Sequence, residues 1–177
     1  MQRSAYLVSC CALLGLAGCV TIENDSPRAL ASAMLMRSDG APAGVAQLTR
    51  DGSELTLSVD ARGLSPGLHG MHIHAVGRCD RPEFLSAQGH WNPAERAHGS
   101  ANPAGAHAGD LPNLVVGADG RGTGKFRLDP SSLAVGLAGL LDADGAAIVI
   151  HAAADDLHSD PSGKSGARVV CGVLAPG

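Results

Sequence analysis

Apolar and polar residues alternate in several short stretches of the chain, and Gly, Pro and Asp separate these stretches. Between residues 54 and 61, Leu55, Leu57 and Val59 alternate with polar neighbours, shortly after the pair Asp51-Gly52. A period of two is typical of a half-buried β-strand, and Asp-Gly is typical of a hairpin turn. The pattern predicts eight strands: Ala31–Arg37, Ala43–Arg50, Glu54–Ala61, His69–Val76, Leu114–Val116, Gly122–Leu128, Ala146–His151 and Ala167–Leu174.

No long segment shows a helical period without an interrupting Gly or Pro, so the chain is predicted to be all-β. Eight short strands favour a β-sandwich or flattened barrel. Two long connections, Gly77–Leu111 and Ala152–Gly166, are expected to be functional because structureless loops of that length are uncommon in a compact domain. A third, Asp129–Gly145, is open to two interpretations, a Greek-key crossover or a short helix.

The first residues resemble a bacterial secretion signal. Arg3 provides the charged start, and the apolar run Tyr6–Ala17 is too short to span a bilayer. The run ends in Leu16-Ala17-Gly18-Cys19, which resembles the lipobox of bacterial lipoproteins, where the cysteine becomes the lipidated N-terminus. The alternative is secretion without a lipid.

Three segments follow from this interpretation: 1–18 as a lipoprotein signal peptide, 19–28 as the lipidated N-terminus and polar tether, and 29–177 as a single domain. A lipid on Cys19 would anchor the domain to a membrane of the bacterial envelope, facing the periplasm. Val20, where an aspartate could stand, is compatible with the outer membrane.

The cysteines agree with an exported domain. Of five cysteines, Cys10 and Cys11 leave with the signal and Cys19 carries the lipid, so Cys79 and Cys171 remain. In an oxidising compartment these two thiols are expected to pair, and the alternative is two buried free thiols.

The overall charge narrows the range of partners. The formal net charge of the whole chain is -4. Removal of the signal also removes the positive charge of Arg3, so the mature chain is slightly more acidic. A mildly acidic domain without a Lys/Arg run or an aromatic stacking platform is not expected to bind nucleic acid.

The histidines carry the chemistry of this sequence. Of eight histidines, five lie between Gly70 and Asp110. His72 and His74 are two residues apart in a predicted strand, so their side chains project from the same face. A set of imidazoles with one carboxylate suits zinc or copper better than calcium or magnesium.

Seven candidate ligands lie in motifs with a characteristic order. The motifs are Gly70-Met71-His72-Ile73-His74, Gly89-His90-Trp91-Asn92-Pro93 and Gly105-Ala106-His107-Ala108-Gly109-Asp110-Leu111, with His98 between the last two, followed by His151, Ala154-Asp155-Asp156-Leu157, Gly166-Ala167-Arg168 and Cys171-Gly172-Val173. Over nearly the whole mature chain this pattern resembles the copper/zinc superoxide dismutases. The resemblance implies an eight-stranded Greek-key β-sandwich, an architecture that this family is known to share.

The resemblance also implies the roles of individual residues. Superoxide is the implied substrate, converted with protons to dioxygen and hydrogen peroxide, and homodimers are common in the family. Arg168 would bind the anionic substrate, His90 would bridge the two metals and carry a proton, and Asp155 would hydrogen-bond His72 and His98. The implied copper ligands are His72, His74, His90 and His151, the implied zinc ligands are His90, His98, His107 and Asp110, and the implied disulfide joins Cys79 and Cys171.

Some residues depart from the family pattern or fall outside it. Ala75 stands where many eukaryotic relatives carry an acidic residue, and Lys164 is the only cation of the second loop before Arg168. Three carboxylates of that loop, on Asp155, Asp156 and Asp160, would oppose an incoming anion, so we expect weaker electrostatic steering of superoxide. His69 is expected to make structural hydrogen bonds, and His158 and Asp156 to be exposed. The alternative function is a non-catalytic envelope module of the same fold that binds copper and zinc or delivers copper.

Overall fold

Antiparallel strands make up almost all of the regular structure in residues 27–128 and 137–177, which a computed structural model describes. The predicted signal peptide 1–18, Cys19 and most of the tether lie outside the described residues. The strands are β1 (Arg28–Arg37), β2 (Pro42–Asp51), β3 (Glu54–Arg62), β4 (Gly67–His69), β5 (Met71–His74), β6 (Leu114–Val116), β7 (Arg121–Leu128), β8 (Ala146–His151) and β9 (Arg168–Pro176). The all-β prediction is confirmed.

The predicted strand His69–Val76 is wrong in one respect, because it is divided at Gly70. β4 pairs with β6, whereas β5 pairs with β8. At the division, the Gly70 amide donates to the carbonyl of Ala153 at 2.8 Å, and the Gly70 carbonyl accepts from the His151 amide at 2.8 Å. The chain therefore changes partners at this residue, and the described residues form nine strands instead of eight.

The order of the strands is that of a nearly closed barrel. The sheet runs β4-β6-β7-β3-β2-β1-β9-β8-β5. Its two edge strands, β4 and β5, are consecutive in the chain and are separated only by Gly70. The chain itself thus connects the two edges of the sheet, as expected of the flattened barrel predicted from the sequence.

Among the described residues, the buried apolar side chains form one large cluster and one small one. Alternate residues of the strands, such as Leu55, Leu57 and Val59, fill the large cluster. The small cluster lies on the outer face of β8 and β9 and contains Phe84 and Ala87 from the first long loop together with Ala147, Val149 and Cys171. β8 is therefore buried on both faces, and the loop is packed firmly against the sheet.

Helical structure is limited to two short turns in the described residues. A 3-10 turn spans Leu85–Ala87, and one α-helical turn, α1, spans Leu137–Leu140. The connection Asp129–Gly145 leads from β7 to β8, on a different part of the sheet, so it contains a short helix as well as a crossover. No described helix is long and apolar enough to cross a membrane.

Candidate metal centre

Strand alternation places three histidines on one face of the sheet. In β5, Met71 and Ile73 enter the large apolar cluster, so His72 and His74 project from the opposite face. β8 pairs with β5, and its last residue, His151, lies on the same outer face.

The first long loop folds over this face and adds the remaining ligand candidates. Isolated antiparallel β-bridges of the backbone pair His72 with Asp110 and His74 with His90. Gly109 permits this close approach, since a Cβ atom there would lie 2.2 Å from the carbonyl oxygen of Ile73. A residue with a side chain at this position would push the ligand loop away from β5.

Four imidazoles form the first cluster. His72, His74, His90 and His151 each offer one ring nitrogen, and these nitrogens lie within 4.8 Å of one another. The atoms are Nδ1 of His72 and Nε2 of the other three, and each is buried without a hydrogen-bond partner. Buried nitrogens that lack a partner are costly, so four lone pairs around one point fit a metal ion.

The second nitrogen of three of these rings is held by an acceptor, which fixes the tautomer. The three contacts are His72 Nε2 to Asp155 Oδ2 at 2.6 Å, His74 Nδ1 to the Gln88 carbonyl at 2.8 Å and His151 Nδ1 to the Gly166 carbonyl at 3.1 Å. Carbonyl and carboxylate oxygens accept, so these nitrogens donate and the opposite nitrogens are free to bind metal. The fourth ring, His90, instead turns its Nδ1 toward the second cluster, where this nitrogen is itself a candidate ligand.

The second cluster is centred on Asp110. Its Oδ1 lies 2.8 Å from Nδ1 of His90 and 3.1 Å from Nδ1 of both His98 and His107. The His98 nitrogen makes no hydrogen bond despite this distance. Ligand atoms on a tetrahedral zinc ion, with bonds of about 2.0–2.1 Å, lie about 3.3 Å apart, so the four residues fit such an ion.

His72 also lies close to the second cluster. His72, His90, His98 and Asp110 each offer one atom, and these four atoms lie within 4.8 Å of one another. His107 is not in that set, but its Nδ1 is 3.3 Å from Nδ1 of His90. The two clusters therefore share His90 and are adjacent.

The Asp155 carboxylate connects the two clusters through hydrogen bonds to one histidine of each. Oδ2 accepts from His72 Nε2 at 2.6 Å, and Oδ1 accepts from His98 Nε2 at 3.1 Å. The side chain of Asn113 holds the Asp155 backbone at both its amide and its carbonyl. Gly163 packs directly against this carboxylate, since a Cβ atom at Gly163 would lie 1.7 Å from Oδ1 of Asp155.

Burial keeps three of the ligand imidazoles neutral. It lowers the pKa of His74 to about 2, of His151 to about 3 and of His90 to about 4, with further lowering by neighbouring histidines. Burial alone would raise the pKa of Asp110, but hydrogen bonds from His90 and the Gly99 amide outweigh it and lower the pKa to about 2. Neutral imidazoles and an ionised carboxylate are the protonation states that metal binding requires.

An opening leads from solvent to the first cluster. A depression of about 340 Å³ is lined by His74, His90 and His151 and by Arg168. The Arg168 guanidinium donates to the carbonyls of Phe84 and Gln88, at 2.7 Å each. A fixed cation therefore stands beside the unpartnered nitrogens, where a small anion can enter.

Comparisons with known proteins agree with this geometry. The family model "Copper/zinc superoxide dismutase (SODC)" matches residues 42–174. The chain belongs to the copper/zinc superoxide dismutase family. Membership of this family, together with the two clusters, supports superoxide dismutase as the enzyme class and copper and zinc as the cofactors.

Several relatives match most of the chain. A copper/zinc superoxide dismutase of Caulobacter vibrioides is 39% identical over 170 residues, covering 94% of this chain and 98% of the relative. The superoxide dismutase-like protein YojM of Bacillus subtilis is 45% identical over 143 residues, covering 79% of this chain and 73% of the relative. The crystal structure of a mutant of a superoxide dismutase-like protein from Bacillus subtilis superposes with a TM-score of 0.75 at 44% identity, covering 81% and 97% of the two chains.

The predicted disulfide of this dismutase-family chain is present. Cys79 and Cys171 are bonded, with their Cα atoms 5.7 Å apart. The bond attaches the first long loop to β9, the strand that begins with Arg168. The alternative of two buried free thiols is wrong.

The polar residues outside the ligand set also lie as expected. His69 is buried, and its Nδ1 donates to the carbonyl of His151 at 2.6 Å, so its hydrogen bonds are structural. His158 and Asp156 are exposed. Asp156 accepts hydrogen bonds from Ser159 and lies 3.4 Å from the Lys164 ammonium.

Three residues that hold side chains of the candidate metal centre in place were not predicted from the sequence. Phe84 and Gln88 contribute only backbone carbonyls to Arg168, and Asn113 acts on the backbone of Asp155. Carbonyls are common to all residue types, so no sequence signal could have identified the first two. Asn113 precedes β6 by one residue, where an asparagine is ordinary.

Proposed function

We propose that this protein dismutes superoxide to dioxygen and hydrogen peroxide in the bacterial envelope, with copper at the first cluster and zinc at the second. The observation that carries the proposal is the convergence of four unpartnered, buried imidazole nitrogens at the base of an opening lined by Arg168. Family membership supports the same activity.

The two clusters suit different metals. His98, His107 and Asp110, with the shared His90, give zinc a closed four-ligand site, which is typical of a structural role. His72, His74, His90 and His151 present nitrogen ligands on the side of the opening, which suits a redox metal that meets a substrate. Copper bound there supplies the electron transfer, because it can alternate between two oxidation states.

Arg168 binds the substrate anion in this proposal. Two of its donors are occupied by carbonyls, which hold the guanidinium at the rim of the opening. Burial lowers the pKa of Arg168, but a guanidinium remains protonated in proteins. The side chain therefore presents a permanent charge and free N–H donors to superoxide.

His90 holds a proton for the reaction. Its Nε2 is unpartnered and its ring lines the opening, while Nδ1 is held by Asp110. A proton taken up at Nε2 during the reaction would lie in the opening, within reach of an anion bound beside Arg168. Asp155 fixes the orientation of the His72 and His98 rings through hydrogen bonds, so that both metal sites retain their shape.

Copper affinity and superoxide decay of one variant test the assignment. His151→Gln removes a copper ligand but no zinc ligand, and His158→Gln is the matched control on an exposed histidine. We expect His151→Gln to weaken copper binding in chelator competition and to slow superoxide decay, with zinc content unchanged. Native copper affinity in His151→Gln would contradict the assignment, and copper binding without superoxide decay in the parent protein would favour the non-catalytic metal-binding or delivery module.

The envelope location rests on Leu16-Ala17-Gly18-Cys19 after an apolar run. Lipid on Cys19 would tether the domain through residues 20–28 to the outer membrane, with the metal centre in the periplasm. Labelling of cells with an alkyne-bearing fatty acid should mark the parent protein and not Cys19→Ala. Equal labelling, or recovery of both proteins in the soluble periplasmic fraction, would contradict the anchor.

A further inference from the structure

The 3-10 turn Leu85–Ala87 forms a bracket between the substrate-binding arginine and the metal ligands. The carbonyl before the turn, on Phe84, accepts from Nη1 of Arg168, and the carbonyl after it, on Gln88, accepts from Nη2. The Gln88 carbonyl also accepts from Nδ1 of His74. One turn of backbone therefore determines the position of Arg168 relative to a copper ligand.

Both carbonyls depend on an uncommon backbone conformation. Phe84 has φ 55° and ψ 25°, and Gln88 has φ 64°. A bulky residue rarely adopts the left-handed region, and it does so only where surrounding contacts enforce it. The cause of this conformation must therefore lie in what Phe84 contacts.

The Phe84 side chain supplies those contacts. Its ring is fully buried in the small apolar cluster with Ala87, Ala147, Val149 and Cys171, and the disulfide partner Cys79 packs against that cluster. The ring is the largest side chain in the cluster, whereas Leu85, which follows it, is 69% exposed. Burial of the ring thus anchors the turn to the sheet and leaves the Phe84 carbonyl directed at Arg168.

We propose that Phe84 is a positioning residue for Arg168: its buried ring holds the bracket in the conformation that orients the guanidinium toward the opening. The proposal rests on the proposed function in one respect, that Arg168 receives the superoxide anion. Gln88 lies at the other end of the same turn, so its carbonyl follows the position of Phe84.

The first test measures Arg168 directly and needs neither copper nor turnover. The zinc-loaded protein is treated with phenylglyoxal, and modification of Arg168 is followed by mass spectrometry, with the exposed Arg96 as internal reference. In Phe84→Ala we expect Arg168 to react about tenfold faster relative to Arg96, since two charge-assisted hydrogen bonds no longer protect it. Phe84→Leu, which keeps an apolar side chain in the cluster, should restore most of the protection.

A matched control separates positioning from general loosening of the cluster. Val149→Ala removes buried volume from the same cluster. The Arg168 guanidinium donates to the carbonyls of Phe84 and Gln88 and not to that of Val149. We expect the reactivity of Arg168 in this variant to equal that of the parent. If Val149→Ala and Phe84→Ala accelerate modification equally, or if neither does, the proposal is wrong.

The second test uses superoxide decay with copper and zinc bound. Phe84→Ala should lower the rate constant per bound copper about tenfold, and the double variant with Arg168→Ala should be no slower than Arg168→Ala alone. Additive losses would show that Phe84 acts by another route and would overturn the proposal. If the parent protein shows no superoxide decay, the proposed function fails, whereas the phenylglyoxal experiment still decides the role of Phe84. Should Phe84→Ala not fold, Phe84→Val takes its place, and protection of Arg168 in Phe84→Val equal to that in the parent would contradict the proposal.

Discussion

The metal-free protein should lose stability steeply between pH 7 and pH 5, because three of its ligand histidines resist protonation in the folded state. Burial lowers the pKa of His74 to about 2, of His151 to about 3 and of His90 to about 4. In the unfolded chain the ordinary value is about 6.5. The unfolded state therefore binds more protons below this value, so stability falls as the pH falls through 6.5.

The magnitude follows from these values. At pH 5 each unfolded ring is almost fully protonated, while the folded rings are neutral, so each contributes about 2 kcal/mol of destabilisation relative to pH 7. Three rings give about 5 to 6 kcal/mol, which is comparable to the entire stability of a small domain. Asp110 acts in a lower window, because its pKa is lowered to about 2 and its contribution is lost only below the ordinary carboxyl value of about 4.

Urea unfolding in the presence of a chelator measures this loss. Trp91 is the only tryptophan and is 5% exposed, so its fluorescence reports unfolding. We expect the free energy of unfolding to fall by about 5 kcal/mol from pH 7 to pH 5, and His74→Gln to reduce this fall by about a third. His158→Gln, on the surface, should leave it unchanged. A fall of less than about 2 kcal/mol in the parent protein would refute the reasoning.

Four further predictions concern the opening, the carboxylate between the two clusters and the disulfide. Replacing Arg168 with Ala should slow superoxide decay about 10- to 100-fold while metal content stays the same, and Arg168→Lys should recover part of the rate because it keeps the charge; equal loss of metal and rate would indicate a structural role. The described residues that line the opening carry one permanent charge, on Arg168, so the rate constant should fall only about twofold between 20 and 200 mM salt. Asp155→Asn should weaken zinc binding about 10- to 100-fold in chelator competition, because it removes a carboxylate that holds His98, and unchanged affinity would argue against that role. Replacing both Cys79 and Cys171 with Ser should lower the free energy of unfolding by about 4 to 5 kcal/mol, since the bond spans 92 residues, and unchanged urea midpoints would contradict this.

Much of the fold could be read from the alternation of side chains. Leu114–Val116 and Ala146–His151 have the predicted bounds, and β3 runs only one residue beyond its prediction. The division at Gly70 could not be predicted, because it depends on hydrogen bonds with His151 and Ala153, about eighty residues later in the chain. Local pattern predicts that a segment is a strand, but not where it changes partners.

The candidate site shows the same limit. Ligand residue types and their spacing carry a strong signal, and the structure brings His72, His74, His90 and His151 together as one cluster. The supporting contacts carry little signal, because Gln88 holds both Arg168 and His74 through a backbone carbonyl. A sequence can therefore predict which side chains bind metal, whereas the devices that orient them depend on the path of the loop.

Weaker electrostatic steering was expected from the few cations and several carboxylates of the second loop, and the structure adds detail to this expectation. Asp155 is buried against two imidazoles, and Asp160 accepts from the His98 amide at 2.6 Å. Asp156 lies close to Lys164. These carboxylates are engaged within the loop, so they oppose an incoming anion less than their number suggests, and the salt dependence above tests the net effect.

The proposed dismutation of superoxide requires copper in the four-histidine cluster. Pulse radiolysis of the soluble form, residues 20–177, loaded with copper and zinc, measures superoxide decay directly beside a sample that contains zinc alone. We expect fast decay that is proportional to the concentration of copper-loaded protein and absent from the zinc-only sample. If both metals bind in the expected stoichiometry and the two samples decay at the same rate, the protein is not a dismutase and the metal centre serves binding or delivery.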